Sequence, residues 1–464
     1  MTTNKLMNRP LNRFAGRALA FAAALAVLSS VAAAPARAQQ ASANMGPAFQ
    51  SGTPGTFAIR NARIVTASGP DIENGTVVVS NGRITAVGAN VSVPGGATVI
   101  EGRGLTVFPG MIDLGTSMGL VEIPQGATPT VDVSELGDLN PNVRAIDAVN
   151  PHSAHIAVTR VNGITTALSA PTGGLISGQA SLIHLLGATH REMAIQPAAA
   201  LVINLPRAGG GGGFAAFLAQ QQGQAGDAAA QRERQTDQIR RMLRDAEAYA
   251  RAVDAAAADP RLPRVEPDVI LAPLVPYVRG QRPVIFRADR ESEIRAALRF
   301  ADEMKLRPVI LGGSEAWKVA SLLKEKSVPV IVDHVLNLPS REDDPYDINY
   351  ESPSRLHAAG VRFAITSGDS GANARDTPYH AGMAAAFGLP KAEALRSVTL
   401  YPAQIMGVGD QMGSIEVGKV ANLVLADGDI LEARTNIRDL FINGRRVPLV
   451  SRHTELNEMF RNRK

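Results

Sequence analysis

The chain has 464 residues, 45% of them hydrophobic, enough for one large core plus a smaller accessory domain. It has no cysteine, which excludes disulfides, thiolate metal sites and cysteine nucleophiles. The formal charge of +4 is a property of the first 38 residues, whose five basic and no acidic side chains leave the rest at −1; no basic excess argues for nucleic acid or an anionic membrane as partner.

In chain order, Lys5, Arg9, Arg13 and Arg17 precede an alanine-rich apolar run, Ala18 to Ala34, that ends at Ala36-Arg37-Ala38. Residues 1–38 therefore read as a secretory signal peptide cleaved after Ala38, which predicts a soluble periplasmic or secreted protein with no membrane attachment after cleavage. Residues 39–56 are small and polar, a flexible lead-in. From Phe57 the sequence alternates apolar and polar residues in short runs, with the hairpin cue Ser80-Asn81-Gly82 between two of them. Similar runs return near the other end, where Leu440 to Ile442 and Arg445 to Val447 flank Asn443-Gly444. Neither segment has enough strands for a core of its own, so residues 57–108 and 404–450 are expected to build one small β-sandwich domain together.

Residues 109–403 alternate strand-like apolar runs with helical patterns, the signature of repeated βα units. The runs are Thr106 to Asp113, Ile164 to Ser169, Ala180 to Leu185, Ala200 to Leu205, Pro283 to Ala288, Pro308 to Leu311, Val328 to Val332 and Val361 to Thr366. Eight strands in this span predict an α/β fold, a (β/α)8 TIM-type barrel, although a doubly wound sheet fits the pattern alone. An insertion at residues 207–263 opens with Gly209 to Gly213. Its second half places Ile239, Met242, Leu243, Ala246, Tyr249, Ala250 and Val253 at helical spacing, which predicts a surface helix packed on the barrel. The glycine run lacks the Gly-Lys-Ser/Thr ending of a phosphate loop.

Two motifs carry a family resemblance. Phe108 to Ser117, Phe-Pro-Gly-Met-Ile-Asp-Leu-Gly-Thr-Ser, resembles the first barrel strand of the amidohydrolase superfamily, Pro-Gly-x-Ile-Asp-x-His-x-His. Gly413 to Val424, Gly-Ser-Ile-Glu-Val-Gly-Lys-Val-Ala-Asn-Leu-Val, resembles that superfamily's closing motif, with Asn422 in place of the usual aspartate. The likeness covers nearly all of residues 57–447 and is nearest to the imidazolonepropionase-like branch.

The resemblance implies a divalent metal held by two histidines on the first strand, a carboxylated lysine or glutamate on the fourth, and one histidine each on the fifth and sixth. An aspartate is implied on the eighth. Here Gly115 and Ser117 stand at the first-strand positions, Asn204 near the end of the fourth strand, Arg287 at the fifth and Gly312 at the sixth. A glycine offers no ligand and a serine hydroxyl a poor one, so no metal cofactor is expected. Asp369 alone matches, in the acid/base role; its competing role is a turn or helix cap.

Arg287 is a permanent cation suited to carboxylates and oxyanions, or to an ion pair with a neighbour such as Asp289. His334 directly follows the seventh strand and is the spare acid/base candidate, against a hydrogen-bonded structural role. His380 lies after strand eight and is read as a loop residue reaching the same pocket. His152 and His155, three apart in a helical stretch, suit capping better than metal binding, as no third ligand is near. The set Ser370, Asp376 and His380 has no nucleophile elbow and is a weak triad signal.

Two functions follow. One is a hydrolase of carbon–nitrogen bonds, other than peptide bonds, in a small amide or cyclic amide, with Asp369 and His334 catalytic and Arg287, His380 and Asn204 binding substrate. The other is a non-catalytic relative that binds a small anionic ligand or pairs with itself or with a complete homologue.

Overall fold

The computed structural model describes residues 52–123, 128–207, 225–368 and 370–463. The expected leader, most of the lead-in, Gly209 to Gly213 and Asp369 fall outside these residues.

Both chain ends contribute to one eight-stranded sheet. From the amino-terminal side come β1 (Phe57–Ile64), β2 (Ile72–Ser80), β3 (Arg83–Gly88), β4 (Thr98–Glu101) and β5 (Thr106–Pro109). Far along the chain follow β14 (Leu423–Ala426), β15 (Ile437–Ile442) and β16 (Arg445–Val447). The order is β16-β15-β14-β5-β1-β2-β3, with β4 on β1. The joint between the two segments is the antiparallel β5–β14 ladder, in which Val107 opposes Leu425. The sheet folds over its own apolar face. Phe57 on β1 and Phe441 on β15 bring their rings within 5.2 Å, and Ile59, Val77, Ile84, Leu423 and Leu425 close the core around them. The expected sandwich is thus one continuous curled sheet. Its two Asn-Gly turns meet: Asn81 and Asn443 have φ of 51° and 50°, the left-handed backbone that type I′ hairpins require. A Cβ on Gly444 would sit 2.4 Å from the Gly82 Cα, so this contact admits no side chain.

The second sheet is the barrel. Its strands are β6 (Met111–Thr116), β7 (Ile164–Ser169), β8 (Ile176–His184), β9 (Ala194–Ile203), β10 (Val284–Ala288), β11 (Pro308–Gly312), β12 (Val330–Val332) and β13 (Phe363–Ile365), hydrogen-bonded in sequence order. All eight expected runs are strands. The first run, however, divides at Gly110: Thr106–Pro109 belongs to the small sheet and Met111 opens the barrel. One strand also departs from strict βα repetition, since β8 is antiparallel to both β7 and β9. A parallel return needs a crossover of a dozen or more residues, and the short turn through Gly173 and Gly174 allows only a hairpin.

Inward-facing side chains alternate along the strands as the pleat demands: Ile112, Leu114, Leu168, Leu182, Val202, Ile285, Val309, Leu311, Ile331 and Ala364 fill the barrel. Val284, Phe286, Ile310, Val330 and Phe363 face the surrounding helices. The long helix Ala225–Ala258 buries Ile239, Leu243, Ala246 and Ala250. Each isoleucine or leucine so buried contributes roughly 1.5–3 kcal/mol. Arg240 and Arg244 on this helix both reach Glu303, tying it to the helix Glu291–Glu303.

The first and last barrel strands are joined through a side chain. Asp113 on β6, fully buried, accepts hydrogen bonds from the Thr366 and Thr377 hydroxyls, from the Ser367 hydroxyl at 2.8 Å and backbone N–H at 3.3 Å, and from its own Gly115 N–H at 3.0 Å. A carboxylate with this many donors is stable without water, and it pins β6 to the strand end after β13.

Candidate active site

The carboxyl-terminal strand ends open on a cavity of about 510 Å³ lined by Asn204, Arg207, Arg287, Asp289, Gly312 and Asp333, with the Gly173–Leu175 turn at its edge. The strands aim these groups. Arg287 follows the inward-facing Ile285 by two residues, and Asp333 follows Ile331 by two, so the pleat turns both toward the barrel axis. Asp289 lies one residue beyond β10.

Two cations and two carboxylates share this space. Arg207 approaches Asp289 at 3.8 Å and Glu293 at 3.9 Å. The sequence suggested Asp289 as an ion-pair partner of Arg287, but its cation here is Arg207, from the start of the insertion. Burial pushes the Asp289 carboxyl up from its ordinary value, the neighbouring Asp333 pushes it further, and Arg207 only partly opposes them. Because the folded value lies above that of the unfolded chain, ionising Asp289 costs stability at neutral pH. That cost fades as the pH falls through the raised value. Asp289→Asn is accordingly expected to be more stable than the parent near pH 7, with the gain shrinking in acid. Thermal melts at a series of pH values test this, and a variant less stable at every pH would refute it.

Behind this wall sit two histidines. His334 is buried, and its Nδ1 lies 3.0 Å from the Gly312 carbonyl oxygen. A carbonyl only accepts, so Nδ1 carries a proton; the Asp333 carboxylate lies 3.6 Å from the same nitrogen. Nε2 is buried with no hydrogen-bond partner among the described residues. His380 lies in the first turns of the helix Thr377–Ala386 rather than on a loop, because Pro378 follows the helix start and sets its backbone. Burial lowers its pKa, against the pull of Asp113, Asp376 and Asp333.

The other sequence candidates separate. Asn204 lines the cavity, but its amide nitrogen donates to the Gly174 carbonyl and the Ser177 hydroxyl, each at 2.9 Å, so both amide hydrogens hold the adjacent turn. Only its carbonyl oxygen is left to a ligand. Ser117 is buried past the end of β6. A Cβ on Gly115 would lie 2.7 Å from the Thr366 side chain, and one on Gly312, where φ is +107°, would lie 2.3 Å from Asp289 Oδ1. His155 is structural, with Nε2 3.1 Å from the Glu122 carbonyl oxygen. The acidic loop after β12 is held from below: Asp344 meets Lys318 at 3.4 Å, and Arg341 meets the buried Glu315 at 3.4 Å.

Sequence reasoning passed over Arg207, Asp333 and the catalytic potential of Asp289. Asp289 and Asp333 each lie two residues beyond a barrel-facing position or next to a chosen candidate, a signal that was present. Arg207 gave none, since only folding brings the insertion's first residue to the mouth.

The sequence profile of the amidohydrolase family matches residues 298–447. The fold matches the crystal structure of an amidohydrolase from Thermotoga maritima MSB8 with a TM-score of 0.74 and 24% identity, over 84% of this chain and 99% of that one. The chain has the amidohydrolase fold, and its residues 298–447 are similar to that family's profile. Among curated relatives, the amidohydrolase tasK of Hapsidospora irregularis is 24% identical over 398 residues, 80% of this chain. The match spans only 39% of that longer protein. The D-hydantoinase of Geobacillus stearothermophilus is 38% identical over a shorter stretch of 84 residues, 18% of this chain and 17% of that protein.

Proposed function

We propose that this amidohydrolase-fold protein hydrolyses a carbon–nitrogen bond, other than a peptide bond, in a small amide or cyclic amide bearing an anionic group, without the superfamily's usual metal. The observation that carries this reading is the mouth cavity, in which Arg207 and Arg287 share space with Asp289 and Asp333. The guanidinium of Arg287 binds the substrate's carboxylate or oxyanion. Asp289, whose carboxyl is pushed above its ordinary value by burial and by Asp333, is placed to pass a proton to the departing nitrogen. By the resemblance Asp369 would accept the proton of the attacking water, with the buried His334, next to the cavity residue Asp333, as the reserve base. His380 and the carbonyl oxygen of Asn204 shape the binding side.

Three observations support the absence of a metal. Side chains at positions 115 and 312 would collide with Thr366 and Asp289 as the backbone stands. A guanidinium occupies the fifth-strand position and repels a dication. Among the described residues no three His, Asp or Glu side chains are grouped to hold an ion. The residues present do not fit the superfamily's metal centre.

The same glycines favour a second reading, a non-catalytic relative that binds a small anion at Arg287, alone or paired with a complete homologue. One experiment separates the two. Protein recovered from the exported fraction, expected to begin at Gln39, is analysed for metal and assayed with N-acyl amino acids and cyclic amides. Turnover with well under one equivalent of metal supports the hydrolase. Anion binding without turnover supports the second reading, and near-stoichiometric zinc, nickel or manganese overturns both.

A further inference from the structure

A second, larger cavity of about 820 Å³ lies at the opposite end of the barrel, where the chain enters β11, β12 and β13. Its wall is cationic. Arg307, Lys324, Lys326, His357 and Arg362 all line it, and no aspartate or glutamate does. One of the four Lys and Arg side chains is neutralised from outside, Lys326 by Asp302 at 2.7 Å, and His357 lies 3.8 Å from Glu393.

The other three have no carboxylate partner within ion-pair distance among the described residues. Arg307 instead donates to the Ile405 carbonyl at 3.3 Å. Arg362 donates to the Gln404 side chain and lies over the Tyr401 ring, 5.6 Å from its centroid. Lys324 packs its stem on Gly360, where a Cβ would come within 3.3 Å of its Cε. Neutral partners fix the direction of the two guanidinium groups without cancelling their charge. Other arginines of this protein do have carboxylate partners, for example Arg240 with Glu303, Arg355 with Glu351 and Arg438 with Asp427. Three uncompensated cations around one concavity repel one another and focus a positive potential inside it.

We propose that this basal cavity binds a small polyanion, its charge carried on phosphate or carboxylate oxygens. The volume lies within the range of small-molecule sites. Arg307 and Arg362 would engage oxygens through paired N–H groups, and Lys324 would contribute a point charge. Leu306, Val361 and Phe363 add an apolar floor for the ligand's body. The site is distinct from the mouth cavity, because it lies at the amino-terminal rather than the carboxyl-terminal ends of the same strands, and it does not depend on the hydrolase reading.

Calorimetric titration of the full chain with pyrophosphate and, separately, with citrate tests the proposal. Saturable binding of at least one probe is expected, with one equivalent per chain at the basal cavity beside any anion held at the mouth, and weakening as salt is raised. Preference between the two identifies phosphate or carboxylate as the recognised group. Lys324→Gln, an exposed change that breaks no ion pair seen here, should weaken binding about tenfold, and Arg362→Gln in addition should weaken it further. Arg287→Ala weakens the mouth site only, so the equivalent that Lys324→Gln weakens should persist in it. The proposal fails if neither probe binds at millimolar concentration, if Lys324→Gln binds as tightly as the parent, or if Arg287→Ala abolishes the signal.

Discussion

Asp113→Ala is expected to destabilise the protein by about 3–5 kcal/mol, the largest single-residue effect in the barrel. The carboxylate is fully buried and accepts from Thr366, Ser367, Thr377 and Gly115. Its removal leaves several buried donors without an acceptor, and each unsatisfied group costs about 1–3 kcal/mol before the site relaxes. It also unties β6 from the strand end after β13, between which no backbone ladder is seen among the described residues. Thr366→Val removes one donor and keeps the carboxylate otherwise satisfied, so it should cost about 1 kcal/mol. Denaturant unfolding followed by far-UV circular dichroism measures both. An Asp113→Ala protein within about 1 kcal/mol of the parent would show that the barrel closes by other means.

Arg287→Ala is the second large effect, on binding rather than stability. Loss of a hydrogen-bonded charge from the mouth cavity should weaken small carboxylate ligands by about 1.5–3 kcal/mol, roughly 10- to 150-fold in Kd. The reason is geometric: Arg287 lines the cavity from an inward-facing position of β10, with Asp289 and Asp333 beside it. Arg287→Lys keeps the charge but loses the planar fork, so it should recover only part of the affinity. Calorimetry with N-acyl amino acids checks the series. An alanine variant that binds as the parent does would remove Arg287 from the site and, with it, the anionic group from the proposed substrate.

The two experiments address residues of unequal visibility in the sequence. Arg287 stood out because it replaces an expected histidine at a strand end. Asp113 lies inside the Pro-Gly-Met-Ile-Asp motif, yet nothing local tells that its side-chain partners, Thr366, Ser367 and Thr377, are more than 250 residues away. Hydrogen-bond partners of a buried carboxylate are a property of strand order, and strand order is a long-range outcome.

The sequence by itself determined the periodic features. Alternation over two residues marked the strands, the Asn-Gly dipeptides marked turns that need left-handed backbone, and the three- and four-residue spacing of Ile239, Leu243, Ala246 and Ala250 marked the buried face of a helix. These are local consequences of backbone geometry, and they carry through to the fold unchanged. Only the tertiary structure decided how the pieces meet. It set β8 antiparallel between β7 and β9, split the first run between two sheets at Gly110, and turned Asn204's amide inward to its neighbouring turn. It also brought Arg207 from the edge of the insertion to Asp289. In each case the deciding term is a contact between residues distant in sequence, whose energy exists only once the barrel has closed around them.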